Sequence, residues 1–112
     1  MLTLNLLVLR CADIEKSRAF YELFGMTFVK HTHGKGPEHY AFENGEIVFE
    51  LYAATCHTKD EMTGLGFRVE EFAQKHEMFV EKGYVPSAIK QNPWGLSFVL
   101  RDPDGRRVEI QE

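Results

Sequence analysis

Cysteine is scarce in this sequence. Cys11 and Cys56 are the only two in 112 residues, they form no CxxC, and they lack metal-ligand spacing. A disulfide framework is therefore not expected, and free thiols in a reducing cytosol are the default. Long apolar runs are missing too: nothing approaches the ~18 residues that a membrane span needs. The start, Met1–Leu9, is apolar, but it has no positive n-region and is interrupted by Thr3 and Asn5. Arg10 also stands where a small residue would precede a cleavage site. A first strand is expected there rather than a signal peptide. Basic blocks are absent as well. With 13 Lys/Arg against 17 Asp/Glu, the net charge is −4, which argues against nucleic acid or an anionic membrane as partner. What remains is a cytoplasmic domain long enough to bury a core without staples.

The chain then reads as one pattern given twice. Residues 2–11 form a strand, Asp13 caps a helix, and Ile14, Ala19, Phe20, Leu23 and Phe24 fall largely on one face of it. Gly25 fits the C′ position. Thr27–His31 is a short strand. Gly34, Gly36 and Pro37 make 31–37 a loop. His39–Phe42 and Glu46–Tyr52 are strands joined through Asn44-Gly45, a hairpin signal. Residues 54–62 are a polar connector, with His57 in a loop. The second pass has a strand at Thr63–Val69 and a helix at Glu71–Lys82, with Phe72, Phe79 and Val80 inward and Gly83 as its cap. A strand follows at Tyr84–Ile89, and residues 91–95 form a loop. Last come Leu96–Arg101 and Arg106–Gln111, flanking Asp102-Pro103-Asp104-Gly105, a turn.

With an offset of 58, Arg10 falls on Arg68, Asp13 on Glu71, Ile14 on Phe72, Tyr21 on Phe79 and Gly25 on Gly83. Glu50 falls on Glu109 with one residue of slippage. The matching order of cap, helix, glycine and hairpin indicates an internal repeat. The expected fold is α+β. It has two βαβββ modules in tandem (1–53 and 63–112) within one domain, each a mixed, cupped sheet with its helix on the outer face. Strand parity puts Val108 and Ile110 on one face and Arg107, Glu109 and Gln111 on the other. By the same rule Leu6, Val8 and Arg10 lie on the face opposite Leu7, Leu9 and Cys11. Two open faces can meet as a cleft, within one chain or between two.

Val8-Leu-Arg-Cys-Ala-Asp-Ile-Glu-Lys-Ser-Arg-Ala-Phe-Tyr21 with Gly25, and Pro93-Trp94-Gly95 followed by Arg101–Ile110, resemble the vicinal oxygen chelate superfamily. This is the glyoxalase, bleomycin-resistance and extradiol-dioxygenase group. The resemblance implies paired βαβββ modules and a homodimer at this length. It spans lyases, isomerases, oxygenases, thiol transferases and binding proteins, so it leaves the activity open. Its metal enzymes draw ligands from the first and last strands of each module. The last-strand positions are Glu50 and Glu109, both carboxylates. The first-strand positions are Leu6 and Gly64, which carry no ligating side chain.

The resemblance and the open-face residues together point to a small-molecule binding protein with no catalytic metal or other cofactor. Its ligand, aromatic or cationic, would meet Glu50, Glu109, Arg10, Arg68, Trp94, Tyr52, Gly64 and Gly66. The alternative is a lyase, isomerase or dioxygenase dependent on a divalent metal (Mn, Mg, Ni, Zn or Fe), with Glu50, Glu109 and His39 as ligands. Each residue also has a plainer role. Glu50 and Glu109 can be neutralised by Arg10 and Arg68. Gly64 and Gly66 either open room beside the backbone or mark a bulge or close approach. Trp94 either walls the cleft or staples the loop, and His31-Thr32-His33 reads as a solvated turn. No serine has an adjacent base, so nucleophilic catalysis has little support.

Overall fold

Asp13 starts the first helix as its sequence position demands, its side chain accepting from the backbone N–H groups of Glu15 and Lys16 at 3.0 and 3.2 Å. In the computed structural model, which describes residues 1–56 and 59–112, that helix is α1 (Ile14–Glu22). It follows strand β1 (Leu6–Cys11) and precedes β2 (Val29–His31), β3 (His39–Glu43) and β4 (Val48–Ala53). The second pass gives β5 (Gly64–Arg68), α2 (Phe72–Glu81), β6 (Lys90–Asn92), β7 (Gly95–Arg101) and β8 (Arg107–Gln111). Each set of four strands makes its own mixed sheet, ordered β1-β4-β3-β2 and β5-β8-β7-β6. The last strand of each module lies parallel to its first and antiparallel to its third. The architecture is thus two βαβββ units, and the chain divides into two compact parts after residue 58. His57 lies outside the described residues.

Each sheet is covered on one face by its own helix, and aromatic side chains do most of the covering. In module one, Phe20 and Tyr21 of α1 are fully buried, and the Tyr21 ring meets Phe49 of β4 at 5.2 Å. Leu9 and Cys11 of β1 and Leu51 of β4 complete that core. In module two, Phe72 and Phe79 of α2 meet Phe98 of β7 over Val108 and Ile110 of β8. Buried aromatic side chains of this size supply much of a small domain's stability.

Several local expectations are corrected. Residues 2–5 stand outside the first strand, since the ladder starts where Leu6 meets Val48. Val29, not Thr27, opens β2, and β5 runs from Gly64 to Arg68, one residue short of the expected strand at each end. Ala19 is exposed, while Ser17 and Tyr21 turn inward beside Phe20. Leu23 caps α1, so Gly25, at φ +102°, lies two residues beyond the cap. The strand expected from Glu46 begins at Val48, because the Asn44 side chain accepts from the N–H groups of Glu46 and Ile47 and holds them in the turn. Glu71 occupies the cap position of α2 without capping it: its backbone is left-handed (φ 53°, ψ 49°) and its side chain bonds no helix N–H. Val80 is half-exposed rather than inward.

The largest correction precedes the final hairpin. No strand forms at 84–89, where Pro86 has no N–H to give a ladder. Ser87 ties this stretch to β7, donating its N–H to the Val99 carbonyl and accepting the Val99 N–H on its hydroxyl. The strand lies instead at Lys90–Asn92, mostly within the stretch expected as loop. It pairs with β7 across a two-residue turn of Pro93 and Trp94, made possible by Gly95 at φ +119°.

Candidate functional site

The face of module one turned away from α1 carries two rows set by the ladder. Arg10, Tyr52, His39 and His31 stand in register across the four strands, and Val8, Glu50, Ala41 and Val29 form the next row. The first row is a stack of planar groups. The Arg10 guanidinium lies 4.7 Å from the Tyr52 ring centre, and Tyr52 stacks on His39 at 4.3 Å with planes 7° apart. His31 and His33 follow, 5.8 and 5.1 Å from His39. The HxH pair is thus part of this array, though both of its members are exposed.

His39 is only 1% exposed, while the Glu50 side chain is 18% exposed. Their Nε2 and Oε2 atoms lie 3.3 Å apart, an ion-pair distance, yet they are not aligned as a hydrogen bond and Nε2 has no such partner. A hydrogen bond requires alignment as well as distance, so this approach is not one. The other ring nitrogen, Nδ1, faces the Pro37 carbonyl at 3.4 Å. The geometry thus sets a buried imidazole beside Glu50. A strand-initial histidine facing a mid-strand carboxylate two rungs away is the pattern that marks it in the sequence.

Module two presents a different open face. Gly64, Gly66 and Arg68 of β5 pair with Arg107, Glu109 and Gln111 of β8. Gln111 Nε2 donates to Glu109 at 2.8 Å and Arg107 stands 3.6 Å away. Arg68 is exposed and joins none of the described ion pairs, so the expected Arg68–Glu109 pairing gives way to Arg107 on the same strand. Neither glycine has a positive φ, and a Cβ on Gly66 would meet nothing within 4 Å, while one on Gly64 would only touch the Arg107 carbonyl at 4.0 Å. The bulge and close-approach explanations therefore fail, and the glycines leave open space beside Glu109. Next to them is a trough of about 900 Å³ whose lining includes Glu109, Arg107, Lys90, Ser97, Ile89 and Trp94. Trp94 sits at the β6–β7 turn with 61% of its surface exposed. Ser97, only 4% exposed, is fixed on the trough wall by Asn92 Nδ2 at 2.5 Å.

A third polar cluster is structural. Arg106, expected in the last strand, is folded into the turn and is only 3% exposed. It donates to Asp60 and Asp102 at 3.0 Å each and to Asp104 at 3.5 Å. The Asp60 N–H also donates to the Asp104 carbonyl. Hydrogen bonds from Thr63 hold the Asp60 carboxyl below its ordinary range, with Arg106 adding to them against the opposing effect of burial. The end of the connector is thereby clasped to the hairpin that carries Glu109.

A family model described as the Glyoxalase/Bleomycin resistance protein/Dioxygenase superfamily matches residues 3–110. Among solved structures, a protein from the mobile metagenome of V. Pseudocholerae is 27% identical, with a TM-score of 0.72 over 98% of this chain and 93% of that one. TnmS3, an antibiotic binding protein from Streptomyces sp. CB03234, is 19% identical with a TM-score of 0.80, over 99% and 95% of the two chains. A bleomycin-binding protein complexed with bleomycin is also 19% identical, with a TM-score of 0.69 over 100% and 98%. At that identity the last two speak for the fold alone. No curated protein matches significantly.

Proposed function

Because the chain belongs to the glyoxalase/bleomycin resistance protein/dioxygenase superfamily, we propose that it is a small-molecule binding protein that holds an aromatic or cationic organic ligand without transforming it. The observation that carries this reading is the module-two trough. Its volume of about 900 Å³ falls within the range of ligand pockets, and it combines an exposed indole, a carboxylate and hydroxyl groups. Trp94 offers a stacking surface, Glu109 matches a cationic group, and the bare backbone at Gly64 and Gly66 admits a flat one. Arg10, Tyr52 and Glu50 supply a second planar and charged surface on module one, and Arg68 adds charge at the rim of module two. The protein acts in the cytoplasm as a homodimer in this reading. Leu6, Val8 and Val29, exposed together on one sheet face, are apolar surface that a second copy would cover.

A metal site of the family's usual kind does not fit these residues. Glu50 and Glu109 are carboxylates, but the side chains of Leu6 and Gly64 contribute no donor atom. The reading as a divalent-metal-dependent lyase, isomerase or dioxygenase keeps one observation in its favour, the approach of His39 to Glu50.

The test uses proflavine as a planar aromatic cation and bleomycin, the ligand of one structural neighbour. The expected result is a raised melting temperature and quenching of Trp94 fluorescence by at least one of them. Affinity should fall about tenfold or more in Glu109→Gln and in Trp94→Ala. If neither compound shifts the melting temperature or the fluorescence, the trough is not a ligand site of this kind.

A further inference from the structure

The open face of module two holds a row of polar groups that its strands set side by side. Arg68, Gln111, Ser97 and Lys90 stand in register across β5, β8, β7 and β6. Each end of the row is an exposed cation, and between them lie an amide and a hydroxyl. Glu109 is in the next row, between Gly66 and Val99. Rows on one face are two residues apart, about 6.8 Å along the strand. The charge of Glu109 is already answered, since Gln111 Nε2 donates to Oε2 at 2.8 Å and Arg107 stands 3.6 Å from Oε1. Lys90 has no such answer: it lines the trough and joins none of the described ion pairs. The trough lining therefore carries two cations, Lys90 and Arg107, against one carboxylate. Ser97 makes the same demand. It is only 4% exposed, and its Oγ accepts from Asn92 Nδ2. The hydroxyl is left with a proton to give, and it donates to none of the described residues. A buried donor without an acceptor is costly, and a bound group in the trough would supply one.

We propose that the trough holds its ligand by a carboxylate at Lys90 and Ser97, with an aromatic ring against Trp94, so that the ligand class is an aromatic carboxylic acid. This rests on the reading of the trough as a ligand site and names the chemistry that the site selects. The Lys90 ammonium supplies the charge. The Ser97 hydroxyl supplies a directed hydrogen bond, which is stronger to a charged acceptor than to a neutral one. Asn92, through its bond to Ser97 Oγ, holds the hydroxyl in place. A cationic group at Glu109 and a carboxylate here lie one row apart and do not compete.

The test compares 2-naphthoate with 2-naphthylmethanol, which share a ring and differ in charge. Each is titrated into the full chain by calorimetry and by quenching of Trp94, the one tryptophan in the sequence. Naphthoate is expected to bind about tenfold or more tightly than the alcohol at low salt, and the preference should shrink as salt rises. Lys90→Met and Ser97→Ala should each remove most of that preference and leave the alcohol's affinity unchanged. The preference is read between two ligands on one variant, so a general loosening of the hairpin does not imitate the result. Equal or weaker binding of naphthoate overturns the proposal, as does a preference that survives either substitution. Proflavine, titrated alongside, separates the two levels. If it binds and naphthoate does not, the trough remains a ligand site without a carboxylate seat. If none of the three binds, the reading of the trough fails and this proposal with it.

Discussion

Replacing Arg106 with methionine is expected to cost module two about 3–5 kcal/mol, the usual penalty for leaving a buried charge without its partner. The guanidinium is 3% exposed, and the side chains of Asp102 and Asp104 are 0% and 5% exposed. Methionine fills most of the volume, so the loss is electrostatic rather than a cavity effect. Asp102 Oδ1 keeps the N–H groups of Asp104 and Arg106 at 2.9 Å, which softens the penalty. Asp60, one third exposed, contributes little through its own pairing. Against a total stability of about 5–15 kcal/mol the change is large. At this chain length it lowers the melting temperature by roughly 12–20 °C. Urea denaturation with an unchanged slope is the assay, and adding Asp102→Asn to the variant should recover part of the loss. A cost below about 1 kcal/mol would refute the reasoning, as would a double variant no more stable than the single one.

Gly66→Val should leave stability within about 0.5 kcal/mol, because its side chain points into open space on a strand. It should also weaken proflavine binding about tenfold, measured by calorimetry; unchanged binding would remove the glycine shelf from the site. Arg68→Met should change stability by less than about 0.5 kcal/mol in urea, and a loss of several times that would restore Arg68 as the partner of Glu109. Glu71→Asn should raise stability by about 0.5–1 kcal/mol, since asparagine tolerates the left-handed backbone and caps helices better; a loss would contradict the strain argument. Asp60 has its folded pKa depressed below the ordinary 3.8, so its contribution is complete above that value and is lost as pH falls through the folded pKa. Melting curves of wild type and Asp60→Asn should therefore converge on the acid side, and parallel curves down to about pH 2 would argue against it.

The parts of this fold that follow a period were open to reading from the chain alone. Alternation placed Leu9 and Cys11 under the helix with Arg10 opposite, and Val108 and Ile110 inward with Glu109 opposite, because one buried face fixes the register of a whole strand. Residues whose position depends on a partner far along the chain were not legible. Arg106 looks like the first residue of a strand until Asp60, forty-six positions earlier, is known to meet it. His39 reads only as a strand start until the neighbouring strands bring Tyr52 against its ring and Glu50 beside it. Val80 fits the helical period from Phe72, yet only Phe72 and Phe79 of that set are buried. Pro86 was the legible warning against a strand at 84–89, and its missing N–H outweighed the apolar residues around it.

The position of β8 between β5 and β7 also bears on the order in which this protein can fold. A ribosome delivers β5, α2 and the β6–β7 hairpin well before the strand that joins them. Until Arg107–Gln111 arrives, β5 has no hydrogen-bonded neighbour in its sheet, and Phe72 and Phe79 lack the Val108–Ile110 floor they rest on. Module one meets the same demand at β4 and can meet it while module two is still being made. Folding is therefore expected to be stepwise during synthesis, with the second step gated by the five residues that carry Glu109.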